Sequence, residues 1–294
     1  MLFGNYRFIC QLTADTVLPP YKGSTIRGIL GRSIKKTVCI FKKQDCDSCL
    51  LKQNCLYSAF FENSSSPPFV LEPPLTEKTD FSKDDLLEFN LILFGEITKE
   101  LPYVIYALKE GKLPVGKSKE AKLNLKEVKK DNRTIYSEAE NKIYTENLYS
   151  ELKIPDFGKK ENTKIRLHLI TPLRVKFRNR LTEELPFHIL IRTVLRRIHN
   201  VFYNYGKEEP KYNYRELIKK AESVKIVESN TKWFDWKRYS SRQEKAMFMG
   251  GITGSVVYEG ELGEFIPLIK LCEILHLGKQ TSFGLGKIKI EEVA

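Results

Sequence analysis

Five side chains able to move protons or hold a phosphate recur along residues 188–203: His188, Arg192, Arg196, His199 and Tyr203. At roughly 100° per residue on a helix they fall within one arc of about 80°. A separate, broad apolar arc holds Leu190, Val194, Ile198, Val201, Phe202 and Tyr205. Imidazoles exchange protons near neutral pH, and guanidinium groups hold phosphates and stabilise negative charge as it develops. General acid–base work on a phosphodiester is the chemistry such a stripe can do. The plainer reading is a helix flank whose Arg and His pair with acidic neighbours such as Glu183 and Glu184.

Just upstream, residues 173–180 alternate. Leu173, Val175 and Phe177 take one side, and Arg174, Lys176, Arg178 and Arg180 the other. Period two predicts an extended strand with an apolar and a cationic face. Cations spaced roughly 6.5–7 Å apart along it match successive phosphates of an extended single strand better than they match plain solvent. Near the other end of the same half, Gly278, Lys279, Gln280, Thr281, Ser282, Phe283, Gly284, Leu285 and Gly286 lead into an alternating strand. Glycines admit close backbone approach, and Lys279, Thr281 and Ser282 offer a cation and hydroxyls, so the run reads as an anion-cradling, RNA-contacting loop. Its order is the reverse of the familiar nucleotide loops, which follow a strand and open a helix. The alternative is a simple helix-to-strand turn with Gly278 as C-cap.

Cysteines form a second constellation. Cys39, Cys46, Cys49 and Cys55 are spaced C-x6-C-x2-C-x5-C, whereas Cys10 and Cys272 sit in apolar runs and read as core. Four thiolates can close a tetrahedral structural site on Zn²⁺, and the same soft set suits an iron–sulfur cluster. Disulfides are disfavoured in a reducing compartment. Four protein ligands leave no open position, so such a metal would pin the insertion at 39–57 and take no part in catalysis.

The elements that must position these groups follow from composition and pattern. The chain has 294 residues, 41% of them hydrophobic, and a formal charge of +12. That is enough for about two domains with real cores, and it favours an anionic partner. No early apolar stretch has the form of a signal peptide and no run has the length of a membrane span, so a cytoplasmic chain without membrane partners is expected. The first half reads as strand 6–13, helix 24–37, the cysteine insertion, strand 86–94, helix 101–110 and strand 121–128. The second half reads as strand 165–175, helix 184–205, a polar strand near 233–239, strand 252–258, helix 264–277 and strand 285–291. Both approximate β-α-β-β-α-β, the ferredoxin-like order. The fold class is therefore α+β: two tandem ferredoxin-like domains, 1–150 and 160–294, with hairpins or a linker from 129 to 162 and the four-cysteine insertion in the first.

With these pieces in place the sequence resembles the RAMP superfamily of CRISPR-associated proteins, most closely its precursor-crRNA-processing endoribonucleases. The resemblance spans nearly the whole chain. It rests on the run from Leu18 to Gly28, the insertion ending Cys55-Leu56-Tyr57, Thr171-Pro172-Leu173-Arg174, Tyr239-Ser240-Ser241-Arg242-Gln243 leading to Gly250-Gly251-Ile252-Thr253-Gly254, and the Gly278–Gly286 loop. It implies two ferredoxin-like domains facing across a basic cleft. It also implies binding of CRISPR repeat RNA and metal-independent cleavage that leaves a 2′,3′-cyclic phosphate. A non-catalytic RNA-binding subunit of a CRISPR effector complex is the alternative within the same superfamily. Family enzymes with an evident catalytic set carry a His on or just after the first helix; here no histidine precedes His168. The acid–base pair is then expected from Lys22 or Arg27 together with His199 or His188, with Arg192 and Arg196 stabilising the pentavalent phosphate.

Overall fold

The computed structural model describes residues 1–42, 44–62, 66–159, 161–178, 180–206, 209–240 and 245–293. Ser241, Arg242 and Gln243 of the motif above lie outside the described residues. The chain divides into two compact units, Met1–Leu152 and Lys153–Ala294.

In the first unit the order is β1 (Leu2–Leu12), β2 (Thr16–Val17), α1 (Gly23–Val38), α2 (Leu56–Phe61), β3 (Phe69–Glu72), β4 (Asp80–Phe81), β5 (Leu86–Phe94) and α3 (Leu101–Gly111). Then come β6 (Leu123–Lys130), β7 (Arg133–Ser137), β8 (Lys142–Ile143) and β9 (Ser150–Glu151). The main sheet is antiparallel and runs β3–β5–β1–β6–β7–β8, with β9 also pairing β1. Alternate residues of β1, Tyr6, Phe8, Cys10 and Leu12, are buried, as a strand with one covered face requires. Ile26, Ile29, Leu30 and Ile34 of α1 join Leu101, Val104, Ile105 and Leu108 of α3 in the same core. Each such side chain contributes about 1.5–3 kcal/mol when fully buried.

The second unit comprises β10 (Asn162–Leu173), β11 (Lys176–Phe177), β12 (Arg180–Leu181), α4 (Phe187–Tyr205) and α5 (Tyr214–Ala221). It continues with β13 (Lys225–Ser229), β14 (Lys232–Ser240), β15 (Lys245–Glu261), α6 (Ile266–Leu275) and β16 (Ile288–Val293). Its sheet runs β13–β15–β10–β16, with β14 also pairing β15. In both units the four principal strands therefore lie in the spatial order second, third, first, fourth, the antiparallel ferredoxin-like arrangement, and the fold is α+β as the sequence predicts. Helices α4 and α6 meet through a buried charge. The Arg197 guanidinium donates through Nε and Nη2 to the Leu275 carbonyl at 3.0 and 2.8 Å, closing a last-turn acceptor of α6 that has no partner within the helix.

Of the hairpins or linker expected from 129 to 162, residues 129–152 are hairpin strands of the first sheet. Two segments differ from the pattern reading. The strand β3 is wholly buried and has no alternation to reveal it. The cationic run after β10 is not one strand. Arg178 takes a left-handed conformation, φ 47°, and turns β11 back onto β12 with Phe177 opposite Arg180. Among the described residues no helix is long and apolar enough to cross a membrane.

Candidate functional site

Helix α4 (Phe187–Tyr205) presents the candidate stripe. Its apolar arc, including Leu190, Val194, Ile198 and Val201, is buried, while Arg192 and Arg196 are exposed and His199 is half-buried. Beside that face the short α5 is started by Asn213. Its Oδ1 accepts from the Glu216 N–H, and its Nδ2 donates to the Glu216 carboxylate, an N-cap reinforced by a side-chain bond. The cap places Tyr214 at the helix start, where its hydroxyl lies 3.0 Å from His199 Nδ1. Glu209 Oε1 is 3.5 Å from the same nitrogen, and Tyr203 stacks on the imidazole at 5.6 Å between centroids. Burial, and secondarily the Glu209 charge, holds the Tyr214 hydroxyl above its usual range, so it stays protonated at neutral pH.

These groups open onto a cavity of about 940 Å³ lined by Lys176, Phe177, Arg178, Arg192, Leu195, Arg196, His199, Tyr214, Ile218 and Lys279. The turn between β11 and β12 delivers Arg178, whose guanidinium lies 5.2 Å from the Phe177 ring centroid. Among the described residues none of Lys176, Arg178, Arg192, Arg196 and Lys279 stands in an ion pair. The Lys279 ammonium is held below the ordinary lysine range by burial, then by Lys176, Arg196 and Arg174. Uncompensated cations in a concave site are what an anionic ligand relieves.

The glycine loop serves this site differently from a backbone cradle. Gly278, Gly284 and Gly286 all have positive φ. A Cβ on Gly286 would meet the Leu277 carbonyl oxygen at 1.8 Å, and one on Gly278 the Arg174 carbonyl oxygen at 2.5 Å. The amides of Lys279, Phe283, Gly284, Leu285 and Gly286 are spent inside the unit, on Arg174, Gln280, Thr281, Gln280 and Pro172. Thr281 and Ser282 are buried, and Gln280 is half-buried at φ 65°. The loop is a tight corner that offers the cavity the Lys279 side chain.

The remaining expected residues fall elsewhere. Arg174 donates to the Gly250 carbonyl at 2.8 Å. Arg180 is exposed on β12, and His188 packs edge-on to Phe177 at 6.2 Å. In the first unit Lys22 is fully buried. Its ammonium donates to the carbonyls of Pro20 at 2.9 Å and Thr76 at 2.7 Å, which makes it a strut for the neighbouring loop and an unsuitable proton shuttle. The Arg27 guanidinium lies over the Phe61 ring at 5.1 Å, on the side of α1 that meets α2. Of the other histidines, His168 pairs with Glu291 at 3.0 Å and His276 is buried against the Leu285 carbonyl at 3.1 Å. Tyr214 escapes the periodicity analysis because α5 is short, but the Asn213-x-x-Glu216 spacing is a helix-start signal that would have found it.

The four insertion cysteines are half-buried free thiols. The Cys46 thiol is pushed up chiefly by burial; Lys35 acts against this, and Glu62, Cys39 and Cys55 lie within electrostatic reach. Among the described residues no three His, Cys, Asp or Glu side chains converge closely enough to hold an ion.

Comparison with known proteins places this geometry. Residues 1–148 match the N-terminal-domain family AF_1859_N, and residues 167–288 match the CRISPR-associated endoribonuclease Cas6 family. An uncharacterised protein of Archaeoglobus fulgidus is 27% identical over 285 residues, covering 93% of this chain and 92% of that protein. A Thermus thermophilus Cas6 product complex aligns with a TM-score of 0.60 at 15% identity, over 98% of this chain and 100% of that one. A RAMP protein binding different RNA substrates aligns at 0.50 and 11% identity, over 98% and 100%. At these identities the solved structures speak for the fold, and the family matches for descent. The chain thus belongs to the AF_1859_N family by its first half and carries in its second half a domain of the CRISPR-associated endoribonuclease Cas6 family.

Proposed function

We propose that this chain binds CRISPR repeat RNA and cuts it by a metal-independent transesterification, releasing crRNA for a CRISPR effector complex. The observation that carries the reading is the convergence of His199 with Lys176, Arg178, Arg192, Arg196 and Lys279 on one cavity. RNA supplies its own nucleophile, so the protein has only to position it, take one proton, give another and stabilise charge. With Nδ1–H donated to the Tyr214 oxygen or the Glu209 carboxylate, Nε2 of His199 is the basic nitrogen and takes the 2′-hydroxyl proton. The 2′-oxygen then bonds to the adjacent phosphorus, and the P–O5′ bond breaks. Lys279, its pKa lowered by partial desolvation and by its cationic neighbours, gives its proton to the departing 5′-oxygen. Arg192 and Arg196 offset the added negative charge of the pentavalent phosphate. The products are a 2′,3′-cyclic phosphate and a 5′-hydroxyl.

Labelled repeat RNA incubated with the protein in EDTA tests the proposal. One discrete cut, with an upstream end that phosphatase cannot trim until acid opens it, is the expected result; a 3′-hydroxyl with a 5′-phosphate would overturn it. The second reading, a subunit that holds RNA without cutting it, is favoured by one observation: no histidine precedes His168. Shifted but intact RNA would select that reading.

A further inference from the structure

The segment between α1 and α2 is turned inside out relative to a normal folded loop. From Ile40 to Asn54, the described residues that are not exposed are Cys46, Cys49 and Lys52. Apolar side chains that would ordinarily form its interior face solvent: Ile40 is 74% exposed and Leu50 91%, and Phe41 and Leu51 are exposed as well. Its short helical turns, Cys46–Ser48 and Lys52–Asn54, contribute no buried residue. Lys52 is spoken for at the surface, its ammonium 2.7 Å from Asp47. What the segment keeps inward is sulfur.

The four thiols also occupy the structural joints. Cys39 caps the C-terminus of α1, and its N–H donates to the Lys35 carbonyl at 3.0 Å. Cys46 and Cys49 bound one 3-10 turn, the Cys49 N–H reaching the Cys46 carbonyl at 3.3 Å. Cys55 is the N-cap of α2, its carbonyl accepting from Ala59 at 2.9 Å. Helix α2 is itself anchored, with Lys35 of α1 lying 5.0 Å from the Tyr57 ring centroid. Two ligands thus sit on fixed helix ends, and two on a turn between them that has no core of its own. A segment too small to bury apolar surface is held by a cross-link or a metal, and no disulfide joins these cysteines.

We infer that Cys39, Cys46, Cys49 and Cys55 bind one structural Zn²⁺ as a four-thiolate site, the two cysteines of the coreless turn closing onto the two at the helix ends. Each thiol gives up its proton on binding. The inference rests on residues of the first unit alone, and its test is independent of the cleavage assay.

The test uses the full-length protein expressed with zinc and purified without chelator. Elemental analysis should find about one zinc per chain. The doubly substituted Cys46→Ser/Cys49→Ser protein should lose it, and Cys10→Ala, which changes a core cysteine, should keep it. Exchange with Co²⁺ should produce the intense thiolate charge-transfer and tetrahedral d–d bands. Removing the metal should expose Lys42 and Lys52 to trypsin while the first unit remains folded by circular dichroism. A metal-free wild type with the four insertion thiols titrating, zinc retained in the double variant, or iron with acid-labile sulfide would each overturn the inference.

Discussion

The Tyr214 hydroxyl lies 3.0 Å from His199 Nδ1, so a residue at the start of the short α5 orients an imidazole three turns along α4. That contact engages Nδ1, and Nε2 is the nitrogen the proposed reaction uses. The stacked Tyr203 and the nearby Glu209 restrict the ring further.

His199→Ala should lower the single-turnover cleavage rate by about 10²–10⁴-fold and leave RNA affinity nearly unchanged. Tyr214→Phe removes only the hydroxyl, so it should cut less slowly and displace the acidic limb of the pH–rate profile. His188→Ala, Lys22→Ala and Arg27→Ala complete the comparison. A wild-type rate for His199→Ala would place the base elsewhere.

Replacing Arg192 and Arg196 together with Ala should weaken binding across RNA sequences. The magnitude of the salt slope should fall by about one to two units, since each phosphate contact on a single strand contributes about 0.7. The same pair should also slow cleavage at saturating RNA, because the charge they offset grows in the transition state. An unchanged slope, measured by titration at several salt concentrations, would mean that both arginines face only solvent.

Helices α1, α3, α4 and α6 and the strands with clean alternation were legible in the sequence because burial of one face imposes a period. The same argument placed Arg192, Arg196 and His199 on one stripe. Period places Arg197 beside Leu190 at the edge of the buried arc, but it could not show that the guanidinium caps the last turn of α6. Nor could it show that the cations at 174–180 diverge. A single left-handed residue, Arg178, breaks the run into a turn that sends Lys176 and Arg178 to the cavity, while Arg174 reaches the Gly250 carbonyl. The glycine loop stands out in the sequence by composition, which does not show what its glycines meet. Its glycines relieve backbone crowding against Leu277 and Arg174, and its contribution to the cavity is one lysine.

Gly286→Ala tests that account of the loop. The residue has φ 75° and a neighbouring carbonyl oxygen where the methyl would go, so the substitution combines backbone strain with a clash. Stability should fall by more than the ~1 kcal/mol expected of left-handed backbone alone, read as a lower denaturant midpoint. Where the variant still folds, RNA affinity should fall less than it does for Lys279→Ala. If Gly286→Ala were fully stable yet unable to bind RNA, the loop would be a ligand cradle after all.

Lys279 gives a pH dependence with a definite sign. Partial desolvation and the charges of Lys176, Arg196 and Arg174 depress its pKa in the folded protein, so as pH rises it gives up its proton before an ordinary lysine does. The unfolded chain binds more protons in the window between the depressed and the ordinary lysine pKa, and its stability contribution therefore rises with pH there. A phosphate in the cavity acts in the opposite direction. It favours the ammonium, so RNA binding takes up a proton, and affinity falls as pH rises through the depressed value. Arginine stays charged throughout, so Lys279→Arg should bind with a shallower pH dependence while losing the acid that serves the 5′-oxygen. Wild type and Lys279→Arg titrated with the same RNA from neutral to alkaline pH decide the matter, since titration of the bases cancels between them. Parallel curves would show that Lys279 keeps its proton throughout and takes no part in the transfer.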